Sequence, residues 1–378
     1  MNNSAFSTDM LSSLTLYYAK CEQIFRNPGT HCRANDVIVT CENNSDSLRI
    51  AVTGDYTPIR FLKLRWNFRL PDTALFLGDA WERSYGDLQF RSMDSGRFMP
   101  WYFFMRQEDA FHGFGVKTGG GAFALWSADP AGVTLYLDLR CGTEGVILNG
   151  RIIEAATIIF QTFPTDSFTE ACRAFCTKMC DRPLQVTTPV YGGNNWYYAY
   201  GNSSRREILD DCRRLAAFCE NLKNPPFMVI DDGWQPGERS MDFNGGPWDR
   251  GNDRFPNMET LPKEMLSLGV RPGIWLRPLQ NAAPEIPGEW QLRRWILDPT
   301  IPDVREWIFA DIQRISRWGF QLLKHDFTTY DLFGKWGFEA NPWLASGDWS
   351  FADRSRTSAE VVTDLYRLIL EAAGSAMI

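Results

Sequence analysis

The sequence predicts a β-sandwich followed by an α/β region of the (β/α)8-barrel type. Residues 1–163 contain short β-branched and aromatic runs separated by Gly, Asn, Asp and Pro, with no convincing helical period over most of that stretch. After a Pro-containing linker near 181–189, strand-like and helix-like segments alternate, which is typical of a parallel sheet. We therefore expect a β-sandwich domain with a linking helix over 1–185 and the first half of a barrel over 186–378.

The predicted sandwich strands include four clear runs, and a helix follows them. The helix begins with a capping-box pair, Ser167 and Glu170, and its pattern continues to about Met179. The strand runs are Val37–Thr40, Leu48–Val52, Thr134–Leu139 and Ile158–Phe163.

The second region contains four βα units. Its predicted strands are Val190–Tyr197, Phe227–Asp232, Pro272–Leu276 and Gln321–Phe327. Its predicted helices begin at Ser204 (boxed by Glu207), near Thr260, at Asp303 (paired with Glu306) and near Ser355. A full barrel needs eight such units, and Ala376–Ile378 resembles the opening of a fifth strand. The sequence thus predicts a chain that stops midway through a barrel.

Composition limits the classes of partner. The chain has 378 residues, enough for two domains, and its net charge of −7 argues against nucleic-acid or anionic-membrane partners. Its 15 tryptophans fit a carbohydrate site, because flat apolar rings stack on sugar faces. Two large cores that use tryptophan would explain the same count, so the choice depends on the motifs.

Cysteine usage and the N-terminus predict a cytoplasmic protein. Nine cysteines without regular spacing argue against a disulfide framework. Cys172, Cys176 and Cys180 line one helix face, either as soft-metal ligands or as packing residues. We favour packing, because no histidine or fourth cysteine lies at ligand spacing, and expect no metal or cofactor. We find neither a signal peptide nor an apolar stretch of about 20 residues that could span a membrane.

Polar groups gather at the predicted strand ends, where barrels place active sites. Lys324 and Asp326 share one strand face and His325 points the other way, toward the expected helix layer. Asp231 and Asp232 end another strand. A buried ion pair and a loop cap would explain each pair alone, but desolvating several carboxylates at one edge is costly without a purpose.

These motifs resemble those of glycoside hydrolase family 36. The matching segments are DDGWQ at 231–235, a strand containing GIW at 273–275, and Lys324-x-Asp326. The pattern is also similar to the wider clan of α-galactosidases, including the raffinose-synthase-like branch. The resemblance covers roughly 189–330 and, more weakly, the β-domain.

The resemblance implies roles at the matching positions. Asp326 would be the nucleophile and Lys324 would hydrogen-bond a sugar hydroxyl. Asp231 and Asp232 would accept hydrogen bonds from hydroxyls of the same sugar. The remaining candidates for substrate contact are Trp196, Trp234, Trp275 and Arg277, with Trp196 and Trp275 forming the walls of the pocket.

Two positions depart from the family pattern. His325 stands where many family hydrolases have tryptophan between the lysine and the nucleophile. The third strand ends with Leu276-Arg277-Pro278, where the family usually has an acidic residue. Arg277 would either change the charge of the pocket, which leaves galactose specificity open, or form a salt bridge with a strand-end aspartate.

Three hypotheses of function follow. In each the partner is a carbohydrate, and each is compatible with a monomer or a homo-oligomer. The first is a retaining α-glycosidase, α-galactosidase-like, without cofactor. The second is a raffinose-synthase-like transferase, in which a sugar hydroxyl replaces water. The third is a sugar-binding protein without catalysis, since no residue here matches the acid/base motif of the family. A polar and aromatic cluster at Gly78–Arg83 and Tyr85–Asp87 either lines the sugar site or is a surface turn.

Overall fold

A computed structural model describes residues 7–79, 89–108, 110–184, 186–220, 222–237, 240, 242–336 and 344–378. The chain divides into two compact units: Met1–Pro183 with Phe333–Thr363, and Leu184–Leu332 with Asp364–Ile378. No signal in the sequence predicts the return of 333–363 to the first unit. Of the predicted polar and aromatic cluster, the part from Ala80 to Asp87 lies outside the described residues.

The first unit is built on two antiparallel sheets. A six-stranded sheet has the order β2-β1-β6-β13-β12-β9, and an eight-stranded sheet the order β3-β4-β5-β14-β11-β10-β7-β8. The strands are β1 Ser13–Tyr18, β2 Cys21–Arg26, β3 His31–Ala34, β4 Val37–Asn43, β5 Ser47–Thr53, β6 Ile59–Asn67, β7 Leu75–Gly78, β8 Arg91–Ser92, β9 Met99–Pro100, β10 Tyr102–Gln107, β11 Ala110–Val116, β12 Phe123–Asp129, β13 Gly132–Asp138 and β14 Ile152–Phe163.

Aromatic side chains join the two sheets face to face. Trp126 of the six-stranded sheet lies with its ring centroid 5.8 Å from that of Phe103 in the eight-stranded sheet. Phe103 stacks on Phe114 at 4.4 Å, and Trp66 lies 6.1 Å from Trp126. All four side chains are fully buried. The predicted sandwich-like sheets are thus confirmed, and these tryptophans belong to a core rather than to a sugar site.

Helix α1 (Phe168–Met179) covers the outer face of the eight-stranded sheet. As predicted, it begins at Ser167, whose Oγ accepts the backbone N–H of Glu170 at 3.4 Å. Phe175 is fully buried and packs on Phe104. A side chain at Gly113 would come within 2.9 Å of the Phe175 ring, so this glycine creates the space that the ring fills.

We expect Phe175→Ala to lower the free energy of unfolding by about 3 kcal/mol, because it leaves a large cavity between α1 and the sheet. Urea denaturation of the variant and the parent measures the change. Tyr56→Ala is a matched control, since Tyr56 is 73% exposed in the same unit and its removal leaves no cavity. Equal losses in the two variants would contradict the assigned packing.

The second unit contains a four-stranded parallel sheet in the order β15-β16-β17-β20, and a short hairpin, β18-β19. Met377 pairs with Leu322 in a parallel bridge, in agreement with the predicted fifth-strand opening. Four parallel strands are present among the described residues, and their assignment to the first half of a (β/α)8 barrel stays a prediction. The strands are β15 Gly192–Asn194, β16 Phe227–Ile230, β17 Arg271–Leu276, β18 Gln291–Arg293, β19 Ile296–Leu297 and β20 Leu322–His325.

The helices differ from the prediction at several ends. The helices are α2 Trp196–Ala199, α3 Arg205–Phe218, α4 Leu261–Ser267, α5 Pro302–Trp318, α6 Thr328–Phe333 and α7 Ser358–Ala373. The strand predicted to reach Tyr197 is wrong at its end, because Trp196 begins α2. The Asp303 cap is also wrong: α5 begins at Pro302, whose ring presets the helical φ, and has no side-chain cap. The capping box at Ser204 is confirmed.

The state of the cysteines and the character of the helices are two features of the whole described chain. All nine cysteines are free thiols, and Cys172 packs against the core beneath α1. Within the described part of the chain, we find no helix with both the length and the apolar character that a membrane crossing requires.

Candidate active site

The carboxyl ends of three parallel strands bring the predicted residues together. Asp231 follows β16, and Trp275 lies near the end of β17. Trp275 is in register with Lys324 of β20, so the two side chains share a face of the sheet. Asp326 follows β20, and its backbone N–H donates to the carbonyl of Leu276. Side-chain contacts connect these four residues, as described next.

Asp231 is a buried acceptor, with only 3% of its surface exposed. Its Oδ2 accepts hydrogen bonds from Lys324 Nζ and from Asn194 Nδ2, both at 2.7 Å. Its Oδ1 accepts the backbone N–H of Asp232, and its own N–H donates to Asn195 Oδ1. The carboxylate is thus fixed by donors from β15, β20 and its own loop.

Asp326 is more open, with 38% of its side chain exposed. Its Oδ2 accepts the indole N–H of Trp275 at 2.9 Å, and its Oδ1 accepts the backbone N–H of Phe327 at 2.8 Å. Lys324 Nζ lies 3.9 Å from Oδ2. Each oxygen therefore faces a donor while the carboxylate keeps an exposed surface.

Lys324 connects the two carboxylates, but unequally. Its ammonium is 2.7 Å from Asp231 and 3.9 Å from Asp326. The expected neighbour of Asp326 is therefore present, although Asp231 holds it more closely. With 40% of its side chain exposed and three donors available, Lys324 can also bond a ligand hydroxyl.

Asp232 points into a separate set of amide groups. Its Oδ1 accepts Gln235 Nε2 at 2.8 Å and its Oδ2 accepts Asn244 Nδ2 at 3.0 Å. Gln235 Nε2 also donates to the carbonyl of Asn244, and its Oε1 accepts the N–H of Gly233. These amides fix the orientation of the second carboxylate of the DDGWQ segment.

Arg277 is buried and paired. Its guanidinium donates to both oxygens of Asp331, with Nη2 2.5 Å from Oδ1, and its Nη1 lies 2.5 Å from Asn244 Oδ1. Of the two interpretations of Arg277, the salt bridge is observed. Its partner belongs to α6 and not to a strand end. The positive charge of Arg277 is therefore compensated next to the site.

The three tryptophans occupy different environments. Trp275 contacts Asp326 directly through its N–H. Trp234 is fully buried, donates its N–H to the carbonyl of Trp275 and packs on Trp248 at 5.6 Å between ring centroids. Trp196 is half-buried at the start of α2, with its ring 5.5 Å from that of Tyr200. Trp275 thus reaches one of the predicted carboxylates, and the wall roles of Trp196 and Trp275 and the substrate contact of Trp234 stay predictions.

His325 faces away from the carboxylates, as its place in the strand predicts. Its ring lies edge-to-face on Tyr366 of α7 at 4.9 Å, and Nδ1 is 3.1 Å from Thr328 Oγ1. Burial lowers the pKa of His325, while the charge of Asp326 opposes that shift. The residue that departs from the family pattern thus belongs to the packing behind the strand.

Three residues of the site were not predicted. Asn244 donates to Asp232, Asp331 pairs with Arg277, and the Phe327 N–H donates to Asp326. Asn244 lies in a long loop rich in Gly, Asp and Asn, and that loop was the available signal. Asp331 lies in a short helix for which the sequence has no periodic apolar pattern. The sequence suggests an aspartate as a salt-bridge partner of Arg277 but does not identify Asp331 as that partner.

Two further observations concern other parts of the described structure. Among residues 7–79, 89–108 and the later described ranges, we find no group of three or more His, Cys, Asp or Glu side chains that could hold a metal. A cleft of about 580 Å3 lies in the β-sandwich unit and is lined by side chains such as Tyr17, Phe61 and Tyr136. None of the predicted site residues lines it.

Comparisons with known proteins give likenesses in structure only. No family model matches the sequence, and no curated protein matches it. The α-galactosidase TtGalA from Thermus thermophilus, solved with p-nitrophenyl α-D-galactopyranoside, superposes with a TM-score of 0.55 at 19% identity over 92% of this chain and 70% of that one.

Two family 36 enzymes from Geobacillus stearothermophilus give similar values. The α-galactosidase AgaA matches with a TM-score of 0.55 and 15% identity over 97% of this chain and 57% of its own. The α-galactosidase AgaB matches with a TM-score of 0.54 and 16% identity over 89% of this chain and 51% of its own. This chain therefore spans between about half and about seven tenths of these enzymes. It shares its fold with family 36 α-galactosidases.

Proposed function

We propose that this protein is a retaining α-glycosidase of the α-galactosidase type, with Asp326 as its nucleophile. The observation that carries the proposal is the Asp326 carboxylate. It lies at a strand end, accepts one N–H on each oxygen, keeps an exposed surface and has an ammonium within 3.9 Å. Asp231, from the neighbouring strand, shares that ammonium.

The chemistry follows from these roles. Asp326 attacks the anomeric carbon of an α-glycoside and the aglycone oxygen leaves, which gives a glycosyl-enzyme ester. Water then attacks the same carbon from the opposite face and releases the sugar with its original configuration. Asp231, Asp232 and Lys324 hold hydroxyls of the sugar during both steps. The proton donor to the leaving oxygen is not assigned among the residues of this chain.

Galactose is the proposed sugar. TtGalA, which shares the fold, has been solved with stachyose and with an aryl α-galactoside. Arg277 supports this choice, because Asp331 compensates its charge and the guanidinium faces Asn244 rather than standing as a free cation. The cytoplasmic location and self-association remain predictions.

A panel of aryl glycosides tests the proposal on the intact protein. An aryl leaving group departs without full protonation, so turnover reports mainly on the nucleophile and the sugar pocket. We expect cleavage of α-galactosides with retention of configuration. NMR of the first sugar released measures its anomeric configuration. Cleavage of β-glycosides alone would reject the proposal. Transfer to an added sugar acceptor faster than hydrolysis would favour the transferase instead.

A further inference from the structure

Arg277 makes contacts in two directions from the end of β17. Its Nε is 3.0 Å from both oxygens of Asp331, and its Nη1 donates to Asn244 Oδ1. Its guanidinium also lies over the ring of Phe327, 4.3 Å from the centroid. With 5% of its surface exposed, Arg277 is not available to solvent. It therefore acts on its neighbours rather than on a distant charge.

The first direction leads to Asp326 through Phe327. Phe327 has a φ of +61°, a left-handed conformation that is uncommon for a bulky residue. At this turn the Phe327 N–H donates to Asp326 Oδ1 at 2.8 Å. Two groups hold the turn: the guanidinium over the ring, and the N–H of Asp331, which donates to the Phe327 carbonyl at 2.7 Å. Arg277 thus contacts the Phe327 ring, and the backbone of α6, the helix that carries Asp331, holds the Phe327 carbonyl.

The second direction leads to Asp232 through Asn244. Asn244 Oδ1 accepts from Arg277, which leaves its Nδ2 as the donor to Asp232 Oδ2 at 3.0 Å. The contact with Arg277 therefore determines which end of the Asn244 amide faces the carboxylate. One guanidinium in this way sets the surroundings of both Asp326 and Asp232.

We propose that Arg277 and Asp331 are positioning residues that hold the Asp326 carboxylate, through the Phe327 turn, in the orientation needed for attack, and hold Asp232 through Asn244. The inference rests on the proposed function, because that function gives Asp326 and Asp232 their roles. Small displacements of reacting groups lower rates strongly, so a rigid ion pair behind a nucleophile has a direct effect on turnover.

The ion pair is sensitive to pH. Burial raises the pKa of Asp331 to about 6, against the lowering effect of Arg277. Arg293, which donates to the Asp331 backbone carbonyl, also lowers it, and the charge of Asp326 raises it. Protonated Asp331 no longer offers two charged acceptors to the guanidinium. The contact with Arg277 therefore weakens as the pH falls through about 6.

The indole N–H of Trp275 provides a readout that does not depend on activity. It donates to Asp326 Oδ2, so its NMR resonance, assigned with Trp275→Phe, reports the position of that carboxylate. We expect Arg277→Lys to displace this resonance and to lower kcat/KM about 100-fold, through kcat because Asp326 is displaced and through KM because Asp232 is. Arg205→Lys is the matched control, because Arg205 also bonds a carboxylate and two carbonyls in this unit. The control should leave both readouts unchanged.

The pH dependence separates a positioning role from a merely structural one. In the parent, the Trp275 resonance should titrate with a midpoint near pH 6, and in Asp331→Asn that step should disappear. His325 is present in both proteins, so its own titration cancels in the comparison. An identical titration in the two proteins would remove Asp331 from the proposal.

A paired variant guards against loss of folding. Arg277→Met or Asp331→Asn alone leaves a buried group without its partner, whereas Arg277→Met with Asp331→Leu removes both charges. If this double variant folds and keeps the parent Trp275 resonance and kcat, the proposal is overturned. If the parent cleaves no α-galactoside but the resonance moves as expected in Arg277→Lys, the proposed function fails and the positioning role stands.

Discussion

Replacing Asp326 with alanine is expected to lower kcat on an aryl α-galactoside by about 10⁴-fold or more, while galactose still binds. The alanine cannot form the ester with the anomeric carbon. Asp231, Asp232 and Lys324 keep the contacts that we assign to sugar binding. Initial rates measure the first effect, and calorimetric titration with galactose measures the second.

Chemical rescue makes this test specific for the nucleophile. Azide can occupy the space that the Asp326 carboxylate leaves and attack an activated galactoside from the same face. That attack inverts the configuration, so the product should be β-galactosyl azide, formed in a single step. A structural role for Asp326 gives no such product. Normal turnover in Asp326→Ala would reject the assignment outright.

Asp210→Ala is the control for this variant. Asp210 is an aspartate of similar exposure in the same unit, and it pairs with Arg213 on α3, away from the strand ends. Its loss should change neither turnover nor galactose binding. A decrease comparable to that of Asp326→Ala would indicate a general loss of folding rather than of chemistry.

The proximity of Asp231, Lys324 and Asp326 can be predicted from the sequence because strand ends have a clear signature. Phe227–Ile230 is an unbroken apolar run that stops at Asp231, and the alternation of Lys324, His325 and Asp326 fixes their faces. A parallel sheet brings such ends to one edge whatever the details of the loops. Local pattern and topology together therefore predict which residues meet.

The contacts that orient these carboxylates are not predictable in the same way. Asn244 comes from a long loop, and Phe327 adopts a left-handed φ that its residue type does not favour. Both residues contact Arg277, which is distant in sequence from each. Pairings of this kind follow from tertiary packing, and neither propensity nor periodicity encodes them. The same holds for the return of 333–363 to the first unit.

The Asp231→Asn variant should lose about 150-fold in kcat/KM, chiefly through a higher KM. An asparagine has one oxygen and one NH2 group where Asp231 has two acceptors. If the NH2 replaces Oδ2 it faces the donors of Lys324 and Asn194, and if it replaces Oδ1 it faces the N–H of Asp232. Every orientation therefore opposes a donor to a donor. These clashes lower the stability of the fold. The sugar hydroxyl that we assign to Asp231 loses its charged acceptor, which costs about 3 kcal/mol of transition-state binding and corresponds to that factor.

Lys324 should add to the effect of Asp231→Asn. Released from its 2.7 Å contact, its ammonium is free to close the 3.9 Å separation from Asp326 and to cover the exposed carboxylate. The matched control is Asp311→Asn, a buried aspartate paired with Arg314 at 2.5 Å on α5. It should alter the free energy of unfolding, measured with urea, and leave kcat/KM intact.

Trapping with an activated fluoro-galactoside, followed by peptide mapping, should find the adduct on Asp326. An adduct on Asp231 would reverse the two roles, since a residue that only binds hydroxyls forms no bond to the anomeric carbon.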